Sequence, residues 1–156
     1  MPYSTGRRST ERQNILFIFA DQMHRYAMRC MGTDDIITPN LDRLAAEGTL
    51  FSNAYTNCPI CTPARINFLT GLYTSQTNTF GNDAAIPPAC RSIATDLNAA
   101  GYQTGFVGKW HIGAAGNRPI PEHLRGGFEQ FMGYQCYNGF FRDVCFYDEE
   151  NAGASL

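Results

Sequence analysis

The apolar positions of the chain fall into short runs and one-sided stripes, separated by polar segments rich in glycine. Residues 14–20 read NILFIFA, an unbroken apolar run. Such a run is typical of a strand that is covered on both faces in a parallel sheet. Asp21 follows directly, so we expect its carboxylate at the carboxyl end of that strand, where ligands bind in open α/β sheets.

The rest of the pattern predicts further strands alternating with helices. Thr38 and Pro39 fit an N-cap followed by proline at the first helical position. In chain order, the predicted elements are a strand at 14–20, a helix from Pro39 to Gly48, a strand at 50–55, helical turns at 64–69 ending near Gly71, a long loop at 72–90, a helix capped by Ser92 and ended by Gly101, and a strand at 103–107. This order predicts an α/β sandwich with a mostly parallel central sheet flanked by helices.

Composition favours a globular domain over disorder. The chain has 156 residues, of which 44% are apolar and 17% charged, and its net charge is −2. That is enough apolar material for one core, and the charge gives no general attraction to nucleic acid or to an anionic membrane. Residues 1–13 are polar, without a signal-peptide core, and are predicted to be a disordered tail before a domain at 14–156. No window is apolar enough for a membrane span, so we expect a cytoplasmic protein.

The cysteines allow two interpretations that compete with the one developed below. The chain has 6 cysteines, which we expect to be reduced in the cytoplasm. Cys58 and Cys61 form a C-x-x-C motif, which can serve thiol–disulfide exchange. A zinc site built on the same pair would need a second pair of ligands, and His111 and His123 are far apart in sequence.

Three blocks of sequence, taken together, resemble a known family. Residues 61–71 read CTPARINFLTG, residues 14–22 read NILFIFADQ, and residues 108–113 read GKWHIG. In order and spacing they are similar to blocks of the formylglycine-dependent sulfatases, in which C-x-P-x-R directs oxidation of the cysteine to formylglycine. Weaker similarity is found at 38–45 and 127–134. The resemblance implies the alkaline-phosphatase-like fold, in a truncated form that holds the N-terminal portion of a sulfatase catalytic domain.

The resemblance also implies a role for several side chains. Cys61, as formylglycine, would be the nucleophile and a metal ligand, with Asp21 as a second ligand; the cation would be Ca²⁺, with Mn²⁺ or Mg²⁺ as alternatives. Arg65 lies one helical turn after Cys61, so its guanidinium can reach back to hold the aldehyde hydrate. Lys109 and His111 are two residues apart and would share a face of an extended segment, where they would bind the sulfate and stabilise the leaving oxygen.

A hydrated aldehyde suits sulfate ester cleavage because it carries two hydroxyls on one carbon. One hydroxyl attacks sulfur, and after the alcohol has left, the other collapses to the aldehyde and expels sulfate. A divalent cation would lower the pKa of the attacking hydroxyl and polarise a sulfate oxygen. The expected partners are therefore a small-molecule sulfate ester and a formylglycine-generating enzyme that acts on Cys61.

Two departures from the family pattern keep alternatives open. Gln22 stands where many sulfatases carry a second Asp, which makes a metal role for Gln22 doubtful. The Asp-Gln pair resembles the branch of choline sulfatase and phosphonate monoester hydrolase, and Asn82 resembles a substrate-binding Asn of that branch, so phosphonate or phosphate ester hydrolysis is an alternative. No downstream Asp-Asn or Asp-His pair is found, so a catalytically silent fragment is another alternative, and we expect little activity from the isolated chain.

Overall fold

The computed structural model describes residues 12–113 and 118–136, together with the backbone of two short strands at 145–146 and 154–155. It divides into two compact units, Met1–Ser52 and Asn53–Leu156, each of which is described by itself. The predicted tail 1–13 lies outside the described residues except for its last two, so that prediction and the proposed domain limits stay predictions.

The first unit contains helix α1 (Pro39–Glu47), preceded by 3₁₀ turns at Arg25–Ala27 and Arg29–Met31. The predicted helix is confirmed: proline occupies its start, and the N–H of Gly48 closes its end on the carbonyl of Leu44 at 2.9 Å. Asp42 ties the helix to the turn before it, because its carboxylate accepts hydrogen bonds from the N–H of Cys30 at 2.9 Å and the hydroxyl of Thr38 at 3.1 Å.

The strands predicted at 14–20 and 50–55 are wrong, because the structure forms neither. A strand needs a neighbouring strand to bind its backbone N–H and C=O groups, and within the described residues no strand is found before Gly105. The apolar run is correspondingly exposed, with 83% of the surface of Leu16 and 80% of that of Ile18 accessible. β propensity describes how a residue fits a packed sheet, and it does not supply the sheet.

Within its described residues, the second unit contains the α-helices α2 (Cys61–Thr70), α3 (Thr74–Thr77) and α4 (Ile93–Ala99), and a 3₁₀ turn at Glu122–Leu124. The predicted helical turns at 64–69 are confirmed, but α2 begins earlier, at Cys61. Pro63 fits in the first turn because an N–H at that position would have no hydrogen-bond partner within the helix. Gly71 ends α2 with φ 68°, the left-handed conformation that favours glycine. Helix α3 interrupts the segment predicted as a loop, and a capping hydrogen bond stabilises its first turn.

The cap predicted at Ser92 is confirmed. Its Oγ accepts a hydrogen bond from the N–H of Thr95 at 3.2 Å, and the Thr95 side chain accepts one from the N–H of Ser92 at 3.1 Å. This reciprocal pair is the capping box, here with Thr in place of Glu. Helix α4 then ends at Ala99, and Gly101 follows with φ 81°, close to the predicted stop.

A parallel pair of strands lies at the centre of the second unit. Strand β1 (Gly105–Lys109) pairs with β2 (Gln130–Tyr134), so that the first and last residues of each lie opposite each other. β1 is the strand predicted at 103–107, shifted toward Lys109, whereas β2 had no periodic signal and was not predicted. Strands β3 (Cys145–Phe146) and β4 (Ala154–Ser155) form a separate antiparallel pair. The α/β class is confirmed.

Aromatic and aliphatic side chains fix α2 against the end of β1. The buried core consists of Ile66, Trp110, Ile112, Ile120 and Phe131. The ring of Phe106 meets Trp110 edge-on with centroids 4.9 Å apart and stacks on Phe131 at 5.2 Å, geometries that aromatic pairs prefer. Because Ile66 belongs to α2 and Trp110 follows β1 directly, this core holds the helix of Cys61 beside the strand that ends at Lys109.

Two expectations from composition can be compared with the described residues. No disulfide bond joins any of the cysteines whose side chains are described: Cys30, Cys58, Cys61, Cys90 and Cys136. In the same part of the chain, no helix is long and apolar enough to cross a membrane.

Candidate active site

The first turn of α2 presents Cys61 as the first residue of the helix. Ile60 before it is extended, with φ −117° and ψ 146°, and its carbonyl accepts the first helical hydrogen bond from the N–H of Ala64 at 2.9 Å. The first N–H groups of a helix have no partner inside it. Ile60 has no side-chain acceptor for them, so an acceptor must come from elsewhere in the chain.

Asn82 supplies this acceptor from the loop that follows α3. Its Oδ1 accepts a hydrogen bond from the N–H of Thr62 at 3.1 Å. The sequence suggested a substrate contact for Asn82, and that role stays a prediction. In the structure, the amide oxygen of Asn82 caps the helix of Cys61 at Thr62, twenty residues away in sequence.

Lys109 lies beside Cys61 at the end of β1. Its Nζ is 3.7 Å from the Sγ of Cys61, although the two residues are 48 apart in sequence. The helix start and the carboxyl end of a parallel strand therefore meet at residue 61. A helix N-terminus and an ammonium group both favour an anion, so this is a suitable place for a negatively charged ester.

The side chain of Arg65 contacts the same strand end, at the backbone of Lys109. It is 6% exposed, and its Nη1 donates a hydrogen bond to the carbonyl of Lys109. The guanidinium therefore contributes positive charge to the site and holds Lys109 in place. Binding of an aldehyde hydrate by Arg65 stays a prediction.

His111 is buried, at 7% exposure, and has φ 49°, the left-handed region that a residue with a Cβ rarely adopts. β1 ends at Lys109, and this backbone turn follows two residues later. The prediction that Lys109 and His111 share a face of one extended segment is therefore wrong. The left-handed conformation of His111 was not expected from the sequence.

Each residue from Lys109 to Gly113 is held by a hydrogen bond from outside the segment. In order, the Lys109 carbonyl binds the Arg65 guanidinium, the Trp110 N–H binds the Tyr134 carbonyl (2.7 Å), the His111 carbonyl binds the Thr62 hydroxyl (2.5 Å), the Ile112 carbonyl binds the Gln135 carboxamide (2.9 Å), and the Gly113 N–H binds the Ala84 carbonyl (2.8 Å). Unusual backbone conformations persist where their surroundings fix them in this way, and they concentrate at functional sites.

The site residue that the sequence did not reveal is Thr62. It is completely buried, and it contacts both Asn82 and His111. The available signal was a hydroxyl residue directly after Cys61 in the first turn of a helix, where such side chains are costly to bury without a partner. Its partners lie 20 and 49 residues away, and no periodicity links them.

The predicted metal ligands are divided between the two units. Asp21 and Gln22 belong to the first unit, and Cys61 belongs to the second. Among the described residues, no group of three or more His, Cys, Asp or Glu side chains could hold a metal ion. Hard divalent cations need six or more oxygen ligands, so the part of the chain that is described does not by itself form a complete metal site.

Comparison with known proteins connects this geometry with a family. The family model for sulfatases matches residues 13–153. The chain belongs to the sulfatase family. A sulfatase of this kind, the ulvan-active sulfatase of Formosa agariphila, is 35% identical over 88% of the chain and 27% of its own length. The N-acetylgalactosamine-6-O-sulfatase of Bacteroides thetaiotaomicron is 39% identical over 68% of the chain, and the mouse steryl-sulfatase is 34% identical over 80% of it.

Solved sulfatase structures show the same fold. The yidJ protein of Bacteroides fragilis, described as a sulfatase, aligns with 92% of the chain and 36% of its own length, with a TM-score of 0.79 and 29% identity. A structure solved in complex with its substrate D-glucosamine-2-N,6-O-disulfate aligns with 83% of the chain and 25% of its own length, with a TM-score of 0.66 and 28% identity. The fold is thus the alkaline-phosphatase-like fold of the sulfatases. The chain spans between 22% and 27% of the length of the three sulfatases compared by sequence.

Proposed function

We propose that this chain is the N-terminal portion of a sulfuric ester hydrolase, whose nucleophile is a formylglycine made from Cys61. The observation that supports this is the approach of the Lys109 ammonium to within 3.7 Å of the Cys61 sulfur at the start of α2. A thiol used only for packing would be surrounded by apolar atoms. Here the sulfur faces a cation and a helix N-terminus, which is a setting for an anion that reacts at residue 61.

When formed, the hydrated aldehyde supplies one hydroxyl for attack on sulfur and a second whose deprotonation expels sulfate. Lys109 is placed to neutralise the sulfate oxygens as they approach, because its Nζ already lies at contact distance from the side chain of residue 61. Arg65 keeps Lys109 there through its carbonyl and, as proposed, holds the hydrate. His111 is proposed to bind the ester and to donate a proton to the leaving oxygen.

A divalent cation, with Ca²⁺ as the first candidate, is proposed as the cofactor, and Asp21 as a ligand from this chain. Oxygen ligands such as a carboxylate suit Ca²⁺, Mn²⁺ and Mg²⁺ alike. The family implies such a metal in general. Within this chain, Asp21 and the hydrate of residue 61 would hold the cation, which would lower the pKa of the attacking hydroxyl.

The substrate class follows from what the relatives share over this region. The matched region occurs in sulfatases named for ulvan, for N-acetylgalactosamine and for steryl substrates. The organic parts of these substrates differ, whereas the sulfate ester is common to them. We therefore propose that residues of this region recognise the sulfate group.

Conversion of Cys61 is the first test. The chain is produced in a host that has a formylglycine-generating enzyme, and the mass of the tryptic peptide 44–65 is measured by mass spectrometry. This peptide carries both Cys58 and Cys61, so fragmentation must place the change from thiol to aldehyde at position 61. We expect conversion in the native chain and in Cys58→Ala, and none in Cys61→Ala; a Cys61 that keeps its thiol in this host would contradict the proposal.

Hydrolysis of a chromogenic aryl sulfate in the presence of Ca²⁺ or Mn²⁺ is the second test. Little turnover is expected from the 156 residues alone, since the described ligands are too few for tight metal binding. Any turnover must disappear in Cys61→Ala. An aryl phosphonate offered in parallel tests the alternative substrate class, and faster cleavage of the phosphonate would favour it.

A further inference from the structure

The hydroxyl of Thr62 joins the start of α2 to the backbone of His111. Thr62 has no exposed surface, and its Oγ1 lies 2.5 Å from the carbonyl oxygen of His111 and 3.2 Å from that of Asn82. A hydroxyl has one proton to donate. The nearer carbonyl therefore receives it, and the hydrogen bond to His111 is the principal one.

The residue that receives this hydrogen bond has an uncommon backbone conformation. The φ of 49° places His111 in the left-handed region, where its Cβ crowds the backbone. Gln22 and Asn78 are the other non-glycine residues with positive φ among the described residues. Asn and His adopt this region more often than most residues with a Cβ, but it is uncommon for both. At His111 this conformation is held from outside the residue, because the hydroxyl of Thr62 donates to its carbonyl.

We propose that Thr62 is a positioning residue for His111: its hydroxyl holds the left-handed backbone of His111 and thereby fixes the imidazole relative to residue 61. Thr62 neighbours Cys61 on the same helical turn, so one side chain sets the distance between the nucleophile and the second predicted catalytic group. The inference rests on the proposed function only for the chemical task of His111. The hydrogen bond and the backbone conformation stand independently of that task.

The spectroscopic test uses the imidazole signals of the full chain in NMR. There are 3 histidines, and loss of one set of signals in His111→Gln assigns those of His111. Thr62→Val keeps the shape of the side chain but lacks the donor, and Thr62→Ser keeps the donor. We expect Thr62→Val to displace the His111 signals and leave those of His24 and His123 in place, and Thr62→Ser to resemble the native chain. Unmoved His111 signals in folded Thr62→Val would overturn the inference.

A second measurement covers the case in which Thr62→Val does not fold. His111→Gly relieves the left-handed conformation, because glycine adopts it without a Cβ. If the hydroxyl supports this backbone, the drop in urea midpoint caused by Thr62→Val must be smaller in the His111→Gly background. Thr62→Val with His111→Gly should then fold. Equal drops in both backgrounds, or a double variant that is also unfolded, would overturn the inference.

The two proposals fail in different ways. If Cys61 keeps its thiol in the converting host while the His111 signals still depend on the hydroxyl of residue 62, the proposed function fails and the positioning role stands. If Cys61 is converted while Thr62→Val leaves His111 unchanged, the positioning role fails and the proposed function stands.

Discussion

Three side chains near Cys61 hold backbone groups of the site in place. Asn82 caps the helix, Thr62 reaches the His111 carbonyl, and Arg65 donates to the carbonyl of Lys109. Three backbone groups are thus fixed by three side chains, and the reactive groups take their positions from that framework. Support of this kind decides whether a site is held closely enough to work.

Removing the cap tests the framework at one atom. Asn82→Ala deletes the acceptor for the N–H of Thr62, and we expect the free energy of unfolding to fall by about 1 kcal/mol, the usual cost of losing an N-cap. Urea denaturation measures this. Asn82→Asp keeps an acceptor oxygen and adds a negative charge near the helix N-terminus, so it should retain most of the stability. Equal losses in both variants would show that capping is not what Asn82 contributes.

At the scale of elements, α2 carries both the reactive residue and part of the core. Thr62, Pro63, Arg65 and Ile66 form its buried side. Packing at Ile66 therefore stabilises the same helix that presents Cys61. A loss of packing should loosen the site before it unfolds the chain, because polar contacts of Thr62, Arg65 and Asn82 attach the first turn, whereas Ile66 packs in the core.

Two substitutions in α2 separate packing from helix propensity. Ile66 has no exposed surface, so Ile66→Ala should cost about 2–5 kcal/mol through lost burial and a residual cavity. Phe68 lies on the same helix with 54% of its surface exposed, and Phe68→Ala should cost much less. Both free energies come from chemical denaturation. A similar cost at the two positions would contradict the assignment of the buried face.

Elements with local signals could be predicted from the sequence, and elements that depend on distant partners could not. Pro39, Gly71 and Ser92 mark helix ends by their own backbone or side-chain chemistry, and all three lie where the sequence placed them. The apolar run 14–20 carried the strongest strand signal and forms no strand, whereas β2, which was not predicted, pairs along its whole length. A strand forms only where a neighbouring strand pairs with it, and the presence of that neighbour cannot be seen in the strand's own sequence pattern.

The same distinction applies to the candidate site. Cys61, Arg65, Lys109 and His111 were predicted from their motifs, and the structure brings them into one unit, where the first three are linked by short contacts. The left-handed turn at His111 and its contact with Thr62 could not be predicted. Both result from packing between segments 49 residues apart, and a motif records which residues are present without recording how the backbone between them turns.

At the scale of the whole molecule, the two units differ in what is buried. No residue among 12–52 is buried, whereas the second unit has a core that includes Ile66 and Trp110. Local stability follows the density of buried contacts and protected hydrogen bonds. The second unit should therefore resist opening more than the first.

Amide hydrogen exchange tests this difference. The N–H of Trp110 is buried and donates to Tyr134 at 2.7 Å, so it should exchange among the slowest. Amides of 14–20, exposed and outside any strand, should exchange within the earliest time points. Thermal unfolding followed by the single Trp of the chain should then report on the second unit alone. Comparable protection at 14–20 would show that the first unit is held more firmly than its burial indicates.

The exposed run at 14–20 also bears on how the chain behaves in a test tube. A stretch of uncharged residues with high β propensity, without proline and open to solvent, is the kind of segment that adds to a like segment of another molecule edge to edge. In a concentrated preparation this run, rather than the well-packed second unit, would start self-association. We therefore expect self-association of the chain to depend on a segment that is far in sequence from Cys61.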